Sequence, residues 1–134
     1  MGFFDKIFKS EDDIAKEEIK RVPWIDLHEM ETLEEIVKNS YVVPVAILKH
    51  STRCGISAMV LRQFEREYSV EEGKVKLYFL DLLSYRDISN KIASKFNVPH
   101  QSPQLIIIKE GKVVYEGSHS SIKADILKRH LDTI

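Results

Sequence analysis

Residues 41–57 read Tyr-Val-Val-Pro-Val-Ala-Ile-Leu-Lys-His-Ser-Thr-Arg-Cys-Gly-Ile-Ser. The nearly continuous apolar run over 41–48 is typical of a strand that is buried on both faces of a sheet. Pro44 weakens the first half of this strand, because proline donates no ladder hydrogen bond. Apolar residues then recur at helical spacing as far as about Tyr68. The stretch therefore predicts a buried strand that leads directly into a helix, with Cys54 at the junction.

The rest of the chain continues this alternation of strands and helices. The hydrophobic pattern predicts further strands over 24–27, 74–82, 104–108 and 113–115, and further helices over 32–38, 85–96 and 121–131. Residues 109–112 form a hairpin turn, and Gly117 is expected to break the last strand. Strands that alternate with helices run parallel, whereas the hairpin adds an antiparallel pair. The predicted fold class is α/β, with a mixed central sheet that is covered by helices on both faces.

Composition and charge exclude several classes of protein. The chain has 134 residues, 43% hydrophobic and 31% charged, which suits one soluble domain. Its net charge is −1 and it has no basic block, so neither nucleic acid nor an anionic membrane surface is an expected partner. No apolar run approaches the roughly 20 residues that span a bilayer. One cysteine and the lack of a secretory start favour the reducing cytoplasm.

The first 21 residues have a different pattern from the rest. Phe3, Phe4, Ile7 and Phe8 lie at helical spacing and are followed by a charged stretch. We therefore expect an amphipathic N-terminal extension over 1–21, which either rests on the domain or docks a partner or a second copy. The main domain is expected to cover residues 22–134.

Cys54 is the candidate nucleophile because of its place at the start of a helix. Backbone N–H groups there have no partner within the helix, and the helix dipole adds partial positive charge. Both effects stabilise the thiolate, which is the reactive form of cysteine. Arg53 adds positive charge, and Ser57 can donate its hydroxyl to the sulfur from the same helix face. The alternatives are an inert buried cysteine, a solvated arginine and a serine bonded to the backbone.

The histidines give no comparable signal. His50 lies at the strand end beside the candidate nucleophile, where we expect a hydrogen-bonded or surface histidine rather than a proton carrier. His100 and His119 have no role that the sequence predicts. Because the chain has one cysteine and five scattered histidines, no metal site is expected.

A second informative segment directly precedes the strand over 104–108. Proline is unusual just before an apolar strand, and a cis peptide bond between Ser102 and Pro103 would account for it. The backbone of Ser102 would then face a ligand and could pair with an extended peptide. The alternative is an ordinary trans proline that opens an edge strand.

Taken together, residues 22–134 resemble the thioredoxin superfamily. The order of elements matches, the thiol begins the second helix, and Ser102-Pro103 stands where the family keeps its cis-proline. The hairpin over 109–113 and the glycine at position 117 are also similar to those of thioredoxins. The resemblance implies a thioredoxin-like fold.

Within the superfamily, the run from His50 to Ser57 is most similar to the monothiol bacilliredoxins of the YtxJ type. The resemblance implies a monothiol thiol-disulfide oxidoreductase that removes bacillithiol, or a similar small thiol, from mixed disulfides on S-thiolated client proteins. It implies Cys54 as the attacking thiol, with Ser57 in the place of a second cysteine. The implied substrate-binding residues are Thr52, Arg53, Gly55, Ser102 and Pro103. The small thiol is a co-substrate, and no tightly bound cofactor is expected.

Two departures and two alternatives accompany this resemblance. Many members have proline after the cysteine, where this chain has Gly55. A self-resolving dithiol reductase is excluded, because Ser57 and Leu48 replace the second cysteine and the buried aspartate of thioredoxins. Cys-Gly-Ile-Ser resembles the Cys-Gly-Phe-Ser of monothiol glutaredoxins, which hold an iron–sulfur cluster with glutathione, although their Thr-Val-Pro is missing here. The other alternative is a non-catalytic binding module with the same fold.

Overall fold

Strands and helices alternate along residues 22–132, which are the residues that the computed structural model describes. The elements are β1 (Trp24–Asp26), α1 (Thr32–Asn39), β2 (Val45–His50), α2 (Gly55–Glu67), β3 (Lys76–Asp81), α3 (Arg86–Lys95), β4 (Gln104–Lys109), β5 (Lys112–Ser118) and α4 (Ala124–Asp132). The predicted order of elements is confirmed. The extension expected over 1–21 lies outside the described residues, so its boundary with the domain stays a prediction.

The five strands form one mixed sheet in the order β1-β3-β2-β4-β5. Strands β1 and β2 run parallel to β3, whereas β4 is antiparallel to both β2 and β5. The mixed sheet predicted from the hairpin is therefore confirmed. As a result of this topology, the carboxyl end of β2 and the amino end of β4 meet at the same edge of the sheet.

Each face of the sheet buries its own apolar cluster beneath a pair of helices. Helices α2 and α4 cover one face, where Phe64 and Leu127 pack against strand residues such as Leu48 and Leu105. Helices α1 and α3 cover the other face, where the strand residues that alternate with those of the first face, such as Ile47, are buried. Both faces of β2 are thus buried, as its continuous apolar sequence indicates. No helix within residues 22–132 is long and apolar enough to cross a membrane.

The central strand begins four residues later than its apolar sequence predicts. Tyr41 and Val42 are 66% and 88% exposed, because the backbone turns back on itself after α1. Pro44 lies just outside β2, and its carbonyl accepts the first cross-strand bond, from the Lys76 N–H at 3.0 Å. The strand instead continues through two polar residues, Lys49 and His50, which are both buried. The position of this strand end determines the shape of the site described below.

The end of the chain departs from the prediction at a glycine. Gly117 does not break the last strand but lies within β5, opposite Leu105. The phenol of Tyr115 crosses directly over it, in the space that a Cβ atom would need. The Tyr115 hydroxyl donates a hydrogen bond to the Ser121 carbonyl at 2.6 Å. Residues 119–121 therefore form a 3-10 turn, and α4 begins at Ala124 rather than at Ser121.

Candidate functional site

Cys54 is the N-cap residue of α2, and its backbone is extended (φ −103°, ψ 120°). Its N–H donates to the Ser51 carbonyl at 3.2 Å, which closes a tight turn between β2 and α2. Its carbonyl accepts the Ala58 N–H at 3.1 Å, the first hydrogen bond of the helix. The side chain is partly exposed, and the first turn of α2 carries no acidic residue. Unpaired N–H groups at the helix start and the helix dipole therefore place partial positive charge beside the sulfur.

Ser57 is fully buried, one helical turn beyond the thiol. Its Oγ accepts a hydrogen bond from the Ser51 N–H at 3.3 Å, so it ties the first turn of α2 to the end of β2. Within residues 22–132, no hydrogen bond joins this hydroxyl to the Cys54 sulfur, so the expected contact is not formed. The geometry supports the alternative in which the serine bonds to the backbone and shapes the turn that carries the thiol.

The other residues expected around the thiol form an open surface. Thr52, Arg53 and Gly55 are all exposed. A Cβ atom placed on Gly55 would meet no atom of residues 22–132 within 4 Å. Within the first two turns of α2, Ile56 is 52% exposed and Met59 is 58% exposed. The nucleophile is therefore followed by an uncrowded backbone position and by exposed apolar side chains that a protein surface could cover.

The segment around Pro103 lies at the same edge of the sheet as the turn of Cys54. In the β2–β4 ladder, Gln104 pairs with Lys49, so the residues just before Gln104 lie beside the end of β2. The peptide bond between Ser102 and Pro103 is cis. Pro103 is buried and its carbonyl accepts the His119 N–H at 3.3 Å, whereas Ser102 is partly exposed. The topology thus brings together two segments that are separated by about fifty residues in the sequence.

His50 does not fit the expectation of a hydrogen-bonded or surface histidine. Its side chain is 6% exposed, on the sheet face that α2 covers, and its ring centroid lies 5.3 Å from that of Phe79. The Nδ1 atom has no hydrogen-bond partner among the described residues. Burial lowers the pKa of this imidazole, and the nearby Asp81 carboxylate opposes the shift only in part. The neutral ring is therefore the stable form near the thiol turn.

Lys49 is the polar residue of this region that the sequence did not single out. It is fully buried on the sheet face that α3 covers. Its Nζ donates to the Ser89 carbonyl at 3.1 Å and lies 3.3 Å from Nδ1 of His100. Burial lowers the pKa of this amine to about 8. The signal available in the sequence was a lysine directly after the apolar run over 41–48.

His100 is an exposed residue that belongs to the same cluster. Desolvation lowers the pKa of its imidazole, and the positive charges of Lys49 and Arg86 lower it further. Because a lysine ammonium can only donate, Nδ1 of His100 acts as the acceptor and the ring proton is on Nε2. The Ser89 hydroxyl also lies 3.3 Å from this nitrogen.

Replacing Ser57 with alanine tests whether this serine is a structural tie. We expect Ser57→Ala to lower the free energy of unfolding by about 1 kcal/mol, because the Ser51 N–H loses its acceptor. Urea denaturation measures the change. Ser94→Ala, at an exposed serine of α3, is the matched control and should shift stability by less than about 0.5 kcal/mol. Stability equal to that of the wild type would contradict the structural role.

Comparison with known proteins connects this site to a family. The family model described as monothiol bacilliredoxin BrxC matches residues 25–127. A solved structure described as a proposed oxidoreductase with a thioredoxin fold is 32% identical over 79% of this chain and 91% of that chain, with a TM-score of 0.68.

Thioredoxins themselves are more distant in sequence. The thioredoxin of Fasciola hepatica is 20% identical over 79% of this chain and 94% of that chain, with a TM-score of 0.57. The long form of spinach chloroplast thioredoxin F is 21% identical over 87% of this chain and 90% of that chain, with a TM-score of 0.59. At these identities the similarity shows the fold alone, and the predicted thioredoxin-like fold is confirmed.

Proposed function

Because the chain belongs to the monothiol bacilliredoxin family BrxC and has a thiol redox role, we propose that it removes bacillithiol, or a similar small thiol, from mixed disulfides on client proteins. Cys54 is the attacking thiol. The small thiol is a co-substrate, and the exchange needs no other cofactor. The reducing cytoplasm is the compartment in which such a thiol would be kept active.

One observation carries this proposal: a partly exposed cysteine caps a 13-residue helix and is followed by a glycine with open space around it among the described residues. The helix start places partial positive charge beside the thiol, and the exposure allows a disulfide on a protein surface to approach it. The exposed Ile56 and Met59 offer apolar contacts to the client around the modified cysteine. These features together favour exchange with a macromolecular substrate over an inert, buried cysteine.

The exchange conserves atoms and electrons, so it needs no external oxidant. The Cys54 thiolate attacks the small-thiol sulfur of the mixed disulfide, a new disulfide forms between them, and the bond to the client sulfur breaks. The client sulfur leaves with the electron pair and takes a proton from solvent. The client cysteine is thereby reduced and Cys54 is oxidised. Because the chain has one cysteine, a second, external thiol must release the small thiol from Cys54.

The neighbouring residues are assigned supporting roles in this step. We place the client backbone against Ser102 and Pro103, at the edge of the sheet where the thiol turn also lies. Thr52, Arg53 and Gly55 form the exposed surface that contacts the small thiol. Ser57 acts through the hydrogen bond from Ser51 that holds the turn in place.

Intact-mass analysis tests the proposal. Reduced protein is incubated with a model protein that carries either bacillithiol or glutathione on one cysteine. We expect the chain to gain the mass of the small thiol on Cys54 while the model protein loses it, and Cys54→Ser to gain nothing. If neither donor transfers its thiol to the wild-type chain, the proposed exchange is wrong.

A further inference from the structure

Lys49 is a buried charge with no acidic partner among the residues that the structure describes. Its side chain is fully buried on the central strand β2, and within residues 22–132 no carboxylate forms an ion pair with it. Its amine instead contacts a helix carbonyl, that of Ser89, and the imidazole of His100. Lysine is almost never fully buried unless it is paired, because removing the ammonium from water is costly. A purpose other than stability is therefore the natural explanation for this residue.

Gln104 lies directly opposite Lys49 in the β2–β4 ladder and is also fully buried. Its side-chain amide donates to the Pro99 carbonyl at 3.0 Å and to the Glu116 carboxylate at 2.9 Å. Its Oε1 accepts the Gln101 N–H at 3.3 Å. Lys49 and Gln104 are thus adjacent polar side chains of the sheet, and both contact the segment over 99–103.

The contacts of the two side chains are complementary. Gln104 binds the backbone of the segment at Pro99 and Gln101, whereas Lys49 binds the side chain of His100, which lies between them. Ser89 of α3 accepts from Lys49 through its carbonyl, and its hydroxyl lies beside the same imidazole nitrogen. Three consecutive residues of the segment are therefore fixed immediately before Ser102 and Pro103.

We propose that Lys49 is a positioning residue for the client-binding segment over 99–103. Its ammonium holds His100 as the neutral tautomer with the proton on Nε2, and together with Gln104 it fixes the backbone that presents Ser102 and Pro103. This proposal rests on the proposed function only in taking that segment as the place where the client backbone binds. Lys49 does not act on the sulfur, because its side chain lies on the sheet face opposite α2.

Steady-state kinetics on Lys49→Met tests the positioning role, with Lys76→Met on the exposed surface of β3 as the matched control. Methionine fills a similar volume but cannot donate to His100. We expect the KM for a thiolated client protein to rise roughly tenfold in Lys49→Met while kcat changes little, since the binding segment is misplaced rather than the thiol. Alkylation of Cys54 by iodoacetamide should stay within about twofold of the wild-type rate, because that reaction does not use the segment.

A second variant removes the contacts that Gln104 makes with the segment over 99–103. Gln104→Leu places an apolar side chain of similar size at this buried position and frees Pro99 and Gln101. We expect it to raise the client KM in the same way as Lys49→Met and to leave the alkylation of Cys54 unchanged. An unchanged client KM in both variants overturns the positioning role. A parallel loss of kcat and of alkylation rate also overturns it, because the effect would then be on the thiol itself.

A readout that is independent of catalysis separates this proposal from the proposed function. The ¹⁵N resonances of the His100 imidazole identify which nitrogen is protonated, and we expect Nδ1 to be an unprotonated acceptor in the wild type and to shift in Lys49→Met. An identical His100 spectrum in the two proteins overturns the proposal. If the wild type fails to exchange either small thiol but the His100 spectrum changes as expected, the proposed function is wrong. The positioning of the segment over 99–103 by Lys49 is then still supported.

Discussion

Ser57→Cys should convert the chain into a protein that releases the small thiol by itself. Helix geometry places positions 54 and 57 about 5 Å apart on one face, which is within the range that a disulfide bridges. A thiolate at position 57 would attack the Cys54 sulfur of the adduct, form an internal disulfide and expel the small thiol. The added thiol takes the place of a hydroxyl that is already buried against the thiol turn.

The expected effect is large because the resolving step becomes intramolecular. The adduct on Ser57→Cys should decay at least about a hundredfold faster than the wild-type adduct does in millimolar external thiol. Intact mass follows the reaction: the wild type accumulates the adduct, whereas the variant ends two hydrogens lighter than its reduced form.

The matched control for this experiment is Ser94→Cys, which places a second thiol at an exposed position of α3. It adds a second thiol that is not one helical turn from Cys54, so the adduct on this variant should persist as it does in the wild type. A stable adduct on Ser57→Cys would mean that the side chain at position 57 cannot reach the sulfur, and the assignment of this position as the place of a missing second cysteine would be wrong.

Lys49→Met is expected to stabilise the fold at neutral pH. The pKa of Lys49 is about 8 in the folded chain and 10.5 in the reference state, so the unfolded chain binds this proton more tightly. Stability therefore falls as pH decreases from 10.5 to 8 and is unaffected by this group below that window. The difference corresponds to about 3 kcal/mol, and the lost hydrogen bonds offset about 1 kcal/mol of it. The net gain at pH 7 should be roughly 2 kcal/mol.

Urea denaturation at pH 7 and pH 10 checks both the sign and the pH window. The advantage of Lys49→Met over the wild type should shrink as the pH rises, because the wild-type amine no longer has to be buried as a cation. Lys76→Met should differ from the wild type by less than about 0.5 kcal/mol at either pH. A variant that is less stable than the wild type at pH 7 would show that the contacts of the amine outweigh the cost of burying it.

Much of the fold was accessible from hydrophobic periodicity. The order of elements, the parallel core of the sheet and the antiparallel hairpin all follow from the pattern, because each element must bury one or both faces. The ends of the helices and strands were predicted less well. The apolar Tyr41 and Val42 lie on an exposed turn, where the backbone geometry after α1 decides their position rather than their hydrophobicity. Gly117 continues a strand because the phenol of Tyr115 occupies the space above it, a tertiary contact that no local pattern reveals.

For the candidate site as well, the sequence predicted some features and not others. The place of Cys54 at a helix start was predicted from local sequence, whereas a cis bond before Pro103 was one of two local alternatives and was favoured by the resemblance to thioredoxins. The partners of polar side chains were not predicted. The hydroxyl of Ser57 bonds to the backbone rather than to the sulfur, and the buried His50 has one nitrogen without a hydrogen-bond partner in the described part of the chain. The sequence pattern did not single out Lys49, because only the pairing of β2 with β4 brings it close to the segment over 99–103.

The empty space beside Gly55 leaves one position of the thiol turn adjustable. Within residues 22–132 no atom lies within 4 Å of a Cβ placed there, so a small side chain at position 55 can alter the reactivity of the neighbouring sulfur without disturbing the sheet or its helices. Proteins built on this scaffold can therefore differ in redox behaviour through a single residue while they share the same core. The same freedom makes position 55 the natural first choice for anyone who wishes to engineer the specificity of the exchange.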